Sequence, residues 1–290
     1  MSLSIGLQVF SIRKELKKDF WGTLEQVSEI GYKNIEFANH SAGTDFGVGF
    51  NIDPDTLRQG MERLGMKAIS AHVHPMSLDI IDNVIDYHQA IGNNSLVCGI
   101  GFWKNQDDVL AFSKELNIIG EKCRKRGMDF YYHNHFMEFQ YFDGQTVMDI
   151  ILENTEKEFV KIELDTYWAI RGGIDPVSYL RKLGDRCDLI HQKDLTVKAY
   201  PANIFETIGQ SCEIDKNIFS EFSKVEFFTE VGEGTIEIAS IVKEARNIGA
   251  AKYIIVEQDH SKRNELESIA ISFQNLKKLL NETENSKNAL

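Results

Sequence analysis

Asp107–His135 reads DDVLAFSKELNIIGEKCRKRGMDFYYHNH, and the organisation of the chain can be worked outward from it. Asp107–Arg126 is an amphipathic helical stretch that ends in a basic cluster. Gly127 follows, as a left-handed helix C-cap does, and releases the chain into Met128–His135, a short apolar and aromatic run that reads as a strand. A helix, a glycine cap and a short buried strand in this order make one repeat of a parallel α/β protein.

The same unit recurs from end to end. Strand candidates are Ile5–Phe10, Asn34–Asn39, Lys67–His74, Ser95–Phe102, Met128–His135, Val160–Thr166, Cys187–Asp194 and Tyr253–Asp259. Helical stretches such as Phe20–Ile30, Pro54–Leu64 and Ile236–Ile248 lie between them, with Gly31, Gly65 and Gly249 at C-cap positions. Asp53-Pro54 and Asp175-Pro176 set an N-cap residue before a proline at the first helical position. Eight strands favour a closed (β/α)8 TIM barrel within a single α/β domain spanning 1–280, followed by a polar tail over 281–290. A doubly wound open sheet is the rival. Against it, Phe10-Ser11-Ile12-Arg13 follows the first strand where such a fold carries a glycine-rich phosphate loop. The stretch 195–235 is too long for an ordinary connection and reads as a functional insertion.

A chain of 290 residues suits one α/β barrel. Its 32 basic against 44 acidic residues give a formal charge of −12, which repels a phosphate backbone and argues against nucleic acid as a partner. Cys98, Cys123, Cys187 and Cys212 lack the spacing of a disulfide framework or a zinc ribbon. Met1–Phe10 has no basic and apolar leader pattern, and no apolar run approaches a membrane span, so the expectation is a cytoplasmic protein without membrane contact.

Catalytic groups of a barrel stand at the carboxyl ends of its strands. Those ends offer Gln8, Glu36, His72 and His74, then His133 and His135 with nearby Glu138. Asp165 with Trp168, His191 with Lys193, and Glu257 follow. Asp165, His191 and Glu257, on three consecutive strands, converge on one point in a closed ring. Such a nitrogen and oxygen set suits one divalent ion, Mn, Zn, Co or Mg. The fifth strand contributes either His133, which alternation points the same way as Tyr131, or Glu138 just beyond. The reading adopted takes Glu138 with Asp165, His191 and Glu257 as metal ligands, and His133, Glu138, Glu257 and Lys193 as proton-transfer or charge-stabilising groups. Gln8, Glu36, His72, His74, Trp103, His135 and Trp168 are assigned to the substrate, with Phe10 and Tyr167 as further apolar wall.

Tyr132-His133-Asn134-His135 with Glu138-Phe139, Glu163–Trp168, His191-Gln192-Lys193-Asp194, Val231–Ile236 and Val256–Asp259 together resemble the xylose isomerase-like TIM-barrel superfamily of sugar phosphate isomerase/epimerase proteins. Ketose 3-epimerases, inosose dehydratase, 3-dehydroshikimate dehydratase and a divergent DNA-repair endonuclease belong to it. The resemblance implies a barrel with a divalent ion held by Glu, Asp, His and Glu from the fifth to the eighth strands, of which Asp165, His191 and Glu257 match. His133 stands where the epimerases place their first Glu, which looks more like the dehydratase branch. The expected function is therefore a metal-dependent isomerase or epimerase of a keto-sugar or polyol carbonyl compound. A lyase of the inosose dehydratase type, or a non-catalytic metal-containing sugar-binding barrel, is the alternative. The partner implied is a small sugar or polyol. A homo-oligomer is compatible with the fold, but no interface is legible.

Overall fold

The eight strand candidates become eight parallel strands. The computed structural model describes residues 3–288, with side chains through residue 284. Strands β1 (Ser4–Gln8), β2 (Asn34–Asn39), β3 (Lys67–Val73), β4 (Ser95–Cys98), β5 (Asp129–His133), β6 (Lys161–Asp165), β7 (Leu189–Gln192) and β8 (Tyr253–Val256) lie in chain order around a ring. The ring closes where Ser4–Leu7 pairs in parallel with Tyr253–Val256. Outside it run helices α1 (Phe20–Ile30), α2 (Pro54–Arg63), α3 (Ile81–Ala90), α4 (Gln106–Lys125), α5 (Val147–Glu153), α6 (Pro176–Leu183), α7 (Ile238–Ile248) and α8 (Glu265–Asn288).

The helix punctuation acts as its residue types require. Asp53 accepts from Thr56 N at 3.1 Å and Asp175 from Ser178 N at 3.0 Å, so each caps a helix that starts on proline. Gly249 ends α7 at φ 74°, a left-handed conformation that a side chain would strain.

Side chains alternate across each strand, so half face the helices and half the barrel axis. The large outer core lies between strands and helices. The interior has its own apolar layer of Ile69, Val97, Tyr131, Leu189 and Ile255, and polar groups occupy the layer above it. Strict alternation fails once. Between β2 and β3 the register slips, pairing Ile35 with Ala68 but Glu36 with Ser70. Ile69 is the extra residue of this bulge. It fills the apolar layer, while Ser70 and His72 turn to the polar one, where Ser70 Oγ donates to Glu36 at 2.5 Å and His72 meets Glu163 at 2.7 Å.

Several expected strands are shorter than their apolar runs. Val9–Ile12 leaves β1 as a 3-10 turn, β4 stops at Cys98, and β8 stops at Val256. The surplus residues are the start of the loops at the barrel mouth. The stretch 195–235 carries a small antiparallel ribbon, Asp194–Leu195 against Phe228–Thr229, and two short helices, Phe205–Ile208 and Lys216–Phe222. Among the described residues no helix is long and apolar enough to cross a membrane.

Residues assigned to a polar tail continue α8 as far as Asn288; 289–290 lie outside the described residues. The reason is helical spacing: Ile269, Phe273, Leu276 and Leu280 form one buried stripe, and Phe273 packs on Tyr32 at 4.7 Å between ring centroids. Arg246 of α7 then donates to Thr283 Oγ1 at 2.6 Å, holding the helix beyond residue 280. Leu280→Ala is expected to lower unfolding free energy by about 2 kcal/mol or more in urea titration, as deletion of a buried leucine side chain does. A change below about 0.5 kcal/mol, the size typical of exposed sites, would show that this end of α8 is not packed.

Candidate metal centre

β5, β6, β7 and β8 deliver His133, Asp165, His191 and, one residue beyond the strand, Glu257 to one place. A donor atom from each lies within 4.8 Å of the others, and all four side chains are buried. Backbone geometry fixes them. Asp165 caps the short helix Thr166–Arg171, its Oδ1 accepting from Trp168 N at 2.8 Å. Its Oδ2 forms an ion pair with Lys193 Nζ at 2.9 Å and lies 3.9 Å from His133 Nε2. Glu257 N donates to Gln192 O at 3.2 Å, which carries the β7–β8 pairing one step into the mouth. His191 Nδ1 lies 2.9 Å from Glu257 Oε2. An overlapping group, His72, His133, Glu163 and His191, lies directly beside this one.

Electrostatics there are lopsided. Glu36, Glu163, Asp165, Glu257 and Asp259 are five buried carboxyl groups, and Lys193 is the one buried lysine among them. Its ammonium stands 2.9, 2.8 and 3.0 Å from Asp165, Glu257 and Asp259. Burial lowers a lysine pKa, but those three carboxylates outweigh it and hold Lys193 well above its ordinary value. Burial likewise lowers His191, and Glu163, Glu36 and Glu257 outweigh it, so this imidazole is held well above its usual range. His133 is pushed down to about 3 by burial, with the neighbouring imidazoles adding to the effect, so its ring is neutral with a lone pair to give. Asp165 is pushed up to about 6 by burial, against the pull of Lys193.

Unpaired charge in a protein interior costs several kcal/mol per group, so a surplus of buried carboxylates is offset either by protons, as on His191, or by a bound cation. Two imidazoles and two carboxylates converging within one coordination sphere fit a divalent ion of the Zn, Mn or Co kind.

A cavity of about 840 Å³ opens above the group. Gln8, His72, His74, His133, His135 and Glu257 of the expected site residues line it. Others do not. Glu138 folds back outside the ring: the 3-10 turn Met137–Phe139 sends its carboxylate to Tyr132 Oη at 2.5 Å and His135 N at 2.8 Å. It is absent from both donor groups, and His133 takes the fifth-strand position. Glu36 lies below the cavity, accepting from Gln8, Ser70 and His191. Lys193 is sealed behind the carboxylates it pairs with.

The aromatic wall also differs from expectation. Trp103 is core, packed on Phe112 and Tyr132. Trp168 backs His135 and Phe219, and Tyr167 stacks on Phe228, so none of the three lines the cavity. Phe10 does, with Phe102 and Phe219. Residues that the sequence reading gave no role are Glu163, Asp259, His40, His260 and Phe219. Glu163 was accessible in principle, since alternation turns it to the same side as Asp165. His40 stands on a loop and Phe219 on the short insertion helix Lys216–Phe222, and neither carries such a periodic signal.

Residues 24–279 match the family model described as xylose isomerase-like TIM barrel. An inosose dehydratase of Lacticaseibacillus casei is 28% identical over 286 residues, covering 87% of this chain and 88% of that protein. A sugar phosphate isomerase/epimerase from Parabacteroides distasonis superposes with a TM-score of 0.75 at 24% identity, covering 95% of this chain and 94% of the other. The IOLI protein, whose crystal structure holds a zinc atom, superposes with a TM-score of 0.70 at 13% identity, covering 97% and 99% of the two chains. With its closed ring of eight parallel strands and a model match over most of its length, this chain belongs to the xylose isomerase-like TIM barrel family.

Proposed function

We propose that this chain is a divalent-metal-dependent isomerase or epimerase of a keto-sugar or related polyol carbonyl compound, working by proton transfer at the carbon next to the carbonyl. The observation that carries the reading is the meeting of His133, Asp165, His191 and Glu257 beneath a cavity of about 840 Å³. These four would hold the ion. When bound, a divalent ion polarises a carbonyl as a Lewis acid and makes the neighbouring C–H more acidic.

The chain's own groups supply the rest. Glu257 and Asp259 both line the cavity and flank Lys193 Nζ. Burial raises Glu257, but Lys193 and His191 outweigh it and keep the carboxylate ionised, ready to accept a proton. Burial and the charge of Glu257 raise Asp259, which suits it to hold and return one. Two carboxyl groups with pKa values pushed apart are a recurrent acid and base pair. Lys193 stabilises both from behind. His40, His74 and His260 line the rim, and burial keeps each below its ordinary value, so they are neutral near pH 7 and able both to donate to and accept from hydroxyl groups. Phe10, Phe102 and Phe219 offer apolar faces to the C–H side of a sugar.

The second reading is a lyase of the inosose dehydratase type, favoured by the 28% identity to the Lacticaseibacillus casei protein. Both reactions begin with removal of the same proton and part only when a β-hydroxyl leaves. Ketohexoses, inososes and 3-keto-glycosides incubated in deuterium oxide with the metal-loaded protein separate them. Deuterium at a single carbon without loss of water is expected for the isomerase or epimerase; a conjugated product absorbing in the ultraviolet would identify the lyase. Tight binding of a substrate analogue with no exchange on any of these compounds would leave only a metal-containing sugar-binding barrel.

Asp165→Asn and His191→Ala are each expected to lower exchange by a factor of about 100 or more, an order typical of losing a directly acting charge-stabilising group. Unchanged rates in both would remove the site. Elemental analysis is expected to find full metal in Glu138→Gln and a large loss in His133→Ala; the opposite pattern would return the fifth-strand ligand to Glu138.

A further inference from the structure

Each imidazole of the metal group has its second ring nitrogen on a buried carboxylate. His133 turns Nε2 toward Asp165 Oδ2, 3.9 Å away, and Nδ1 toward Glu163 Oε2 at 3.2 Å. His191 turns Nδ1 to Glu257 Oε2 at 2.9 Å and hydrogen-bonds through Nε2 to Glu36 Oε2 at 2.5 Å, with Glu163 Oε2 a further 3.3 Å contact of the same nitrogen. The two carboxylates are themselves held. Gln8 Nε2 and Ser70 Oγ donate to Glu36 at 2.8 and 2.5 Å, and His72 Nε2 meets Glu163 at 2.7 Å. His72 also stacks on His191, with ring centroids 5.2 Å apart and planes 14° from parallel.

We propose that Glu163 and Glu36 are positioning residues that set the tautomers of the two metal-binding imidazoles, Glu163 through His133 and Glu36 through His191. A neutral imidazole that gives one nitrogen to a cation carries its proton on the other, and the hydrogen bond made there decides which is which. A carboxylate in that place orients the ring and makes its free nitrogen a better donor to metal. Without it either ring could turn over and present the wrong atom. The β3 bulge has a use here, because it brings Ser70 and His72 inward to fix these carboxylates. The inference rests on the metal site proposed above. It assigns Glu163 a place behind the ligands, although Glu163 also belongs to the overlapping donor group and its Oε1 has no hydrogen-bond partner.

Titration of the chelator-treated full-length protein with Co²⁺, read by visible absorption and by competition with a chromogenic chelator, tests this without any substrate. Glu163→Gln is expected to weaken Co²⁺ binding by about 10- to 100-fold and to shift the visible bands. Because its hydrogen bond is to His133, with His191 only a further contact, the same substitution in a His133→Ala background is expected to change affinity by several-fold less than in the native protein. Glu36→Gln, scored against His191→Ala in the same way, decides the matter if Glu163→Gln lacks a native near-ultraviolet circular dichroism spectrum. Native affinity and an unchanged spectrum in Glu163→Gln would overturn the proposal, as would an equal loss in both backgrounds. Loss of Co²⁺ as complete as in Asp165→Asn would make Glu163 a ligand and overturn it too. A native protein that binds no Co²⁺ would instead overturn the metal centre itself, and this inference with it.

Discussion

Five carboxyl groups and three imidazoles share the upper part of one closed ring with a single lysine, and the rest of the structure is organised around that imbalance. Closure leaves no edge through which water can reach every inward side chain, so the polar layer must satisfy itself or bind a cation. The sealed floor makes the constraint sharper. Ile69, Val97, Tyr131, Leu189 and Ile255 fill the axis below and exclude water from that side. Close approach is part of the design, since a Cβ on Gly99 would lie 2.7 Å from His72 Nδ1. The outcome is a set of donors packed tightly enough to share one ion and fixed strongly enough not to relax away from it.

The insertion after β7 is held by the same kind of buried polar anchoring. Asp194 accepts from Gly232 N at 2.9 Å, Gly234 N at 3.0 Å and Ile236 N at 3.1 Å, so the glycine turn forms a cradle for the chain's own carboxylate. Arg171, buried beneath, donates to Ala199 O and Ala202 O, and Arg263 pairs with Glu230 to tie the loop after β8 to the insertion. These anchors set the Lys216–Phe222 helix over the mouth, where Phe219 packs on His135 and Trp168. A long connection with little regular structure thereby becomes a wall of the cavity.

Much of this was legible in the sequence because it follows from local rules. Eight short buried runs, glycine caps at Gly127 and Gly249, and Asp-Pro helix starts depend on backbone sterics and capping hydrogen bonds, which act over a few residues. Strand ends could be read as a set, and the convergence of Asp165, His191 and Glu257 needed only the closed ring. Where the strand face mattered, alternation sufficed for His133, and it extended to Glu163, which the reading passed over. The α8 stripe was equally periodic, yet the polar sequence that follows it masked its continuation.

What the tertiary structure alone decided are the places where periodicity breaks or distance along the chain says nothing. Glu138 stands five residues after His133, and only the 3-10 turn sends its carboxylate outward to Tyr132 rather than inward to the group at the mouth. The β3 bulge changes which face Ser70 and His72 occupy, an outcome no alternation count can give. Trp103 and Trp168 are in the core because neighbouring elements cover them, and Lys193 is sealed because three carboxylates from two other strand ends close on it. Side-chain type and spacing determined the ring and the donors. Packing between elements distant in sequence determined which donors face the cavity, because burial and ion pairing are properties of neighbours in space.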